Sequence, residues 1–161
     1  MSKITVIAEA GVNHNGSKDL AFDLIDAASE AGADYVKFQT YKTSEIIDKN
    51  ASKAGYQKLT TNASEGQYEM LKKLELPYDF HKELLEYSSR RNIKFLSTPF
   101  ESTSLKFLVN VIGLKINKIP SGEITNAPFL LEHTKTKNDL ILSTGMSTIE
   151  EIRLALSIIA F

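Results

Sequence analysis

The sequence predicts an α/β fold of parallel strands covered by helices, and three observations predict it. Short β-rich apolar runs alternate with stretches of helical period five times along the chain. At four of the five expected strand ends, a charged or hydroxyl-bearing residue interrupts or closes the apolar run. No G-x-G-x-x-G or P-loop pattern follows any strand, which weakens a nucleotide-binding version. Two architectures fit this alternation: an open doubly wound sheet, or part of a (β/α)8 barrel of TIM type. Polar groups at successive strand C-termini favour the barrel, because that face carries the site in barrel enzymes. The expectation is a barrel truncated to about five of eight units, with residues 1–161 as its N-terminal portion.

The elements follow in order. Residues 4–10 form an apolar, β-rich run that ends at Gly11, the first strand. A polar V-N-H-N-G turn follows, and Ser17 caps a helix in which Leu20, Ala21, Leu24, Ile25 and Ala28 recur at helical spacing. Gly32 stops it. The second strand, 35–39, places Lys37 and Gln39 on one face by strict alternation. Residues 40–64 read as a long irregular stretch, of the kind that is usually functional or mobile. A short helix is expected at 65–74. Pro77 opens another, whose core-facing side carries Phe80, Leu84, Leu85 and Tyr87. The third strand, 93–97, closes on Thr98-Pro99. Ser102 caps a helix that runs to Ile112 and Gly113. The fourth strand, K-I-N-K-I, runs off its end into P-S-G-E. Asn126 and Pro128 start the next helix, Pro128 near the first position, where its missing donor costs least. The fifth strand is 140–143, and Ser147 with Glu150 forms a capping box for the last helix.

Composition narrows the function. A chain of 161 residues supports one domain with a real core, and 42% hydrophobic with 24% charged residues is ordinary for a globular protein. A formal net charge of −1 gives no footprint of nucleic-acid or membrane-surface binding. There are no cysteines, so disulfides, thiolate metal sites and cysteine nucleophiles are excluded. The N-terminal apolar run is short for a signal peptide and carries Glu9, and no run of 18 apolar residues occurs. A cytoplasmic location is the expectation.

Lys37 and Lys118 each interrupt an apolar strand near its C-terminal end. Either could sit on a solvent-facing edge, but a buried lysine must find an anion or lose its charge. Two converging at one face would suit a doubly charged ligand, such as a phosphate with a carboxylate. Thr98, Ser121 and Ser143 also end strands. Singly each is an ordinary turn residue; together, with nearby turn amides and glycines, they could surround phosphate oxygens with donors. Glu9 and Glu123 are the candidate acid/base groups, because barrel closure brings strands one and four to the same mouth. A carboxylate near two lysines stays ionised, which suits proton acceptance or hydroxyl binding. Gln39 could orient hydroxyls or an amide. His81 and His133 fall on helices and His14 in a turn, and three scattered histidines make no metal motif.

Five motifs now stand in order: E-A-G-V-N-H-N-G-S (9–17), V-K-F-Q-T (36–40), F-L-S-T-P-F (95–100), K-I-P-S-G-E-I-T-N (118–126) and I-L-S-T-G-M (141–146). They resemble the N-terminal half of the barrel in the sialic acid synthase family, across essentially the whole chain. The opening motif and K-A-G-Y-Q (53–57) are closer to the neuraminate and legionaminate branches than to the pseudaminate one. The resemblance implies condensation of phosphoenolpyruvate with an N-acetylated aldose such as N-acetylmannosamine. It places phosphoenolpyruvate-binding positions on Lys37, Thr98, Lys118, Ser121 and Ser143, and sugar-side and acid/base positions on Glu9, Gln39 and Glu123. It also implies a divalent metal (Mn2+ or Mg2+) held by two histidines on later strands, outside this chain, a C-terminal antifreeze-like domain and a homodimer. The isolated chain is then expected to lack turnover. A non-catalytic module completed by a second polypeptide is the alternative from another class. A sugar-phosphate condensing barrel of aromatic biosynthesis shares the chemistry and fits the motifs less well.

Overall fold

A computed structural model describes residues 4–49 and 66–161. The K-A-G-Y-Q motif and most of the expected irregular stretch lie outside the described residues. Among the described residues strands and helices follow one another: β1 (Ile7–Gly11), α1 (Lys18–Glu30), β2 (Tyr35–Thr40), α2 (Thr43–Ile46), α3 (Gln67–Leu74), α4 (Tyr78–Arg90), β3 (Lys94–Pro99), α5 (Ser102–Asn110), β4 (Ile116–Ile119), α6 (Ala127–Lys135), β5 (Asp139–Leu142) and α7 (Ile149–Ile159), with parallel pairing inside each ladder. The strands pair in two ladders, β1-β2-β3 and β4-β5. β3 and β4 lie side by side without a hydrogen-bonded ladder between them. No described helix is long and apolar enough to cross a membrane.

Period-2 alternation divides the chemistry between the two faces of the sheet. In β2 the outward residues Val36 and Phe38 are buried beneath helices, with Ile25, Phe80, Leu84 and Leu108 in the same core. Lys37 and Gln39 point the other way. The register sets Glu9 beside Lys37, Lys37 beside Leu96, and Gln39 beside Thr98. These residues therefore stack in successive layers on the inner face. A smaller core of Ile119, Ile124, Leu130 and Ala155 supports the β4-β5 ladder. Behind it, buried Asn117 donates to Thr136 Oγ1 at 2.7 Å and accepts from Asn138 Nδ2 at 3.1 Å, which ties β4 to the α6–β5 connection.

Several boundaries differ from the expectations, each for a local reason. β1 starts at Ile7, because Ile4 is 83% exposed and finds no strand to pair with. The stretch after β2 contains the short helix α2, with buried Thr43 held by the Glu75 carboxylate through both its amide and its hydroxyl. Helix α5 is capped by Glu101, whose carboxylate accepts from the Ser104 amide, rather than by Ser102. The capping box of α7 is Thr148–Glu151, one residue later than Ser147–Glu150. Asn126 caps α6 as expected, accepting from the Phe129 amide.

Candidate functional site

The strand C-termini converge on a depression of about 420 Å3. Glu9, Lys37, Gln39, Thr98, Lys118, Ser121 and Ser143 all line it. Seven of the eight residues singled out from the sequence are thus brought together, from five different strand ends. Asn13 and Phe100 join them without having been singled out. Each belongs to a motif already noted, N-H-N-G or S-T-P-F, but neither carries a charge that would separate it from turn chemistry.

Local geometry explains how each side chain is aimed. A β-bulge between Glu9 and Gly11 shifts the register, which turns the end of β1. Gly11 takes a φ of +54°, and a Cβ there would stand 3.2 Å from Glu9 Oε1. The bulge therefore needs a residue without a side chain to leave the Glu9 carboxylate in place. Lys37 Nζ forms an ion pair with that carboxylate and donates to Thr98 Oγ1 at 3.3 Å. Its side chain is only 11% exposed, while Glu9 remains half-exposed at 52%. Opposite, Lys118 Nζ donates to the Ile119 carbonyl at 3.0 Å and meets Ser143 Oγ at 2.5 Å. The Ser143 amide donates to the Ile119 carbonyl, carrying the β4–β5 connection one residue past the ladder. After extended Pro120, Ser121–Glu123 forms one turn of 3-10 helix, and Ser121 Oγ faces Gly145 of the neighbouring loop.

The electrostatics follow from this placement. Burial, and then the positive charge of Lys37, pushes the Lys118 ammonium below the usual lysine range; the Glu9 carboxylate opposes the shift. Two ammonium groups and one carboxylate leave the depression with an excess positive charge. The hydroxyls of Thr98, Ser121 and Ser143 add neutral donors around it. An anion entering here would relieve the lysine–lysine repulsion and meet donors that are already oriented.

Glu123 is placed differently. It turns with the 3-10 helix into an adjacent cavity of about 310 Å3, beside Glu45, Glu101 and Glu132. Its carboxylate accepts from Asn126 Nδ2 at 2.7 Å. This single 3-10 turn moves the side chain out of the lysine pocket. A larger hollow of about 610 Å3 lies at the opposite, N-terminal ends of the strands, against Tyr35, Lys94, Ile116 and Asp139. In barrels that face serves stability rather than chemistry.

All three histidines are buried. His14 is fully buried in the β1–α1 turn, where Nδ1 accepts from the Gly16 amide at 3.0 Å. His81 and His133 are buried behind the strands and in α6. Among the described residues no group of three or more His, Cys, Asp or Glu side chains is arranged to hold a metal ion.

Comparison with known proteins shows which family the chain belongs to. The chain is 51% identical over 159 residues to the N,N'-diacetyllegionaminic acid synthase of Campylobacter jejuni, covering 99% of this chain and 47% of that protein. It is 50% identical over 151 residues to the enzyme of the same name from Legionella pneumophila, covering 94% of this chain and 42% of that one. The chain thus spans about half the length of the curated relatives it matches. Among solved structures, the N-acetylneuraminic acid (sialic acid) synthetase from Leptospira borgpetersenii, in complex with citrate, superposes with a TM-score of 0.80 at 33% identity. That match covers 98% of this chain and 50% of that one. Such structural neighbours are TIM barrels. The sequence pattern of the NeuB family matches residues 24–160, and the chain belongs to that family.

Proposed function

We propose that this chain supplies the phosphoenolpyruvate-binding part of a synthase that joins phosphoenolpyruvate to an N-acetylated aldose, giving a nine-carbon sialic-type acid and phosphate. The observation that carries this reading is the convergence of Lys37 and Lys118, with the hydroxyls of Thr98, Ser121 and Ser143, in one depression at the strand ends. A phosphate and a carboxylate on one small molecule match two ammonium groups flanked by neutral donors. The sugar is N-acetylmannosamine or a legionaminate precursor, and the names of the two relatives above favour the second.

In this reaction the enol carbon attacks the aldehyde of the open-chain sugar. Water adds to the resulting cation, and phosphate leaves from a tetrahedral intermediate. Lys37 and Lys118 hold the phosphate and carboxylate charges throughout, and the hydroxyls accept the reorganisation without a change of charge. Gln39, in the same layer as Thr98, orients the sugar's amide or hydroxyls. Glu9 keeps Lys37 in place and lies at the rim where the sugar enters. Glu123 takes part as an acid or base only if its 3-10 turn rotates towards the depression when the site fills. The family resemblance also implies a divalent metal, Mn2+ or Mg2+. The described residues do not fit one, since no group of three or more His, Cys, Asp or Glu side chains among them is arranged to hold a metal ion, and no step here is routed through it.

In this reading residues 1–161 make about five of the eight units of the barrel, the later strands and an antifreeze-like domain lie beyond, and the active assembly is a homodimer. A second reading, completion by a separate polypeptide, is favoured by the exposed apolar residues Ile149, Leu154 and Leu156 on α7. Phosphate release from phosphoenolpyruvate, with N-acetylmannosamine and Mn2+, tests both. The purified 161-residue chain should release none. Co-expression with the remaining half of a relative should restore turnover. Release by the chain alone would contradict the half-site reading.

A further inference from the structure

Behind the lysine pocket lies a polar chain that no substrate would touch. Ser97 Oγ and Thr40 Oγ1 are 2.7 Å apart, Thr40 Oγ1 and His81 Nε2 are 2.8 Å apart, and His81 Nδ1 is 3.0 Å from the Pro77 carbonyl. All three side chains are buried to within 1% exposure. They occupy the outer face of the sheet, in the layer between β2, β3 and helix α4.

The donor directions in this chain follow from one end. A carbonyl oxygen can only accept, so His81 Nδ1 carries the proton. With Nδ1 protonated and the ring neutral, Nε2 must accept, so the Thr40 hydroxyl donates to it. Thr40 has then spent its only proton, so Ser97 donates to Thr40. Phe95 and Phe107 edge against the imidazole at 6.5 and 5.5 Å between centroids, and burial holds its pKa down to about 4. The ring is therefore neutral at physiological pH, which a single direction of donation requires.

Its position gives this chain a consequence. Thr40 directly follows Gln39, and Ser97 directly precedes Thr98. The register pairs Gln39 with Thr98 and Phe38 with Ser97. The inner-face residues of the candidate site thus alternate with the residues that fasten the same strands to α4 from behind. Beyond Pro99 the β2-β3 ladder ends, with the Phe100 amide donating to the Thr40 carbonyl. Side chains near a free strand end are held only as well as the end itself.

We propose that Ser97, Thr40 and His81 are positioning residues: their one-directional hydrogen-bond chain locks the ends of β2 and β3 to α4, and so fixes Lys37, Gln39 and Thr98 for anion binding. That the anion is phosphoenolpyruvate rests on the function proposed above. The locking itself does not.

Two variants and two readouts test this. Thr40→Val keeps the shape and removes the relay; Thr40→Ser keeps the hydroxyl and loses only a methyl. In 15N-resolved NMR of the chain, His81 should show the Nδ1–H tautomer. Thr40→Val should move the Nε2 resonance and the backbone amides of Lys37, Gln39 and Thr98, and Thr40→Ser should return them. In calorimetric titration, Thr40→Val should bind phosphoenolpyruvate about tenfold more weakly, with Thr40→Ser within about twofold of wild type. An Nε2–H tautomer, unmoved amides, or equal binding by Thr40→Val would overturn the proposal. A folded wild-type chain that binds no phosphoenolpyruvate would defeat the ligand reading alone, and the NMR readouts would still decide the locking. Should Thr40→Val not fold, Ser97→Ala, which removes only the terminal donor, carries the same readouts.

Discussion

Acid should charge two imidazoles that this fold holds neutral. His81 and His133 are fully buried, and burial pushes the pKa of each down to about 4. In an unfolded chain the same side chains titrate near 6.5. Between those two values the unfolded state binds more protons than the folded one. Their contribution to stability is therefore complete above about pH 6.5 and is lost as the pH falls through 4. The shift makes the loss between pH 7 and pH 5 roughly 2 kcal/mol for each imidazole. His133 isolates the effect, since neither of its ring nitrogens has a hydrogen-bond partner among the described residues. His133→Phe keeps an aromatic ring against Phe129, now 4.6 Å away between centroids, and removes the titration. Urea unfolding at pH 7 should find the variant no less stable than the wild type, because no paired polar group has been lost. At pH 5 the variant should have lost roughly 2 kcal/mol less than the wild type. An equal loss in both proteins would refute the claim that the buried imidazole senses acid.

Other perturbations have equally definite outcomes. Gly16→Ala should destabilise by about 2 kcal/mol or more in the same assay, because the residue sits at φ +78° and a Cβ would meet the Lys73 carbonyl oxygen at 2.4 Å. Thr148→Ala should cost about 1 kcal/mol by breaking the capping box of α7, whereas Ser147→Ala should cost a few tenths at most. The affinity for phosphoenolpyruvate should fall as the pH is raised, beginning below the usual lysine range. There Lys118, pushed down by burial and by Lys37, loses its charge. Titrations across alkaline pH, with Lys118→Arg as the variant that keeps its charge, would show whether that decline belongs to Lys118.

Much of this arrangement is legible in the sequence because it depends on period. Alternation in V-K-F-Q-T places Lys37 and Gln39 on one face whatever the partner strand, and that face proves to line the depression. Helices with three or four apolar positions on one side read equally well. What tertiary geometry alone decides does not read. Ser147–Glu150 and Thr148–Glu151 have the same capping-box spacing, and only the path of the preceding T-G-M turn selects the second. Ile4 looks like a strand residue, yet it is exposed and pairs with no strand, because a strand needs a neighbour as well as a propensity. The missing ladder between β3 and β4 leaves no trace in either run of residues. Barrel closure argues that Glu123 shares a mouth with Glu9, but one turn of 3-10 helix sends it to the next cavity. His81 reads as an ordinary helical histidine. Its partners Thr40 and Ser97 are 41 and 16 residues away, and only packing brings them together.

The central claim is that the strand ends of this chain already form an anion site for phosphoenolpyruvate. Calorimetric titration of phosphoenolpyruvate into the purified 161-residue chain, beside Lys118→Ala, tests it most directly. The account predicts saturable binding by the wild type that weakens as salt is added and is lost in Lys118→Ala. No binding by a demonstrably folded wild-type chain, or equal binding by Lys118→Ala, would contradict it.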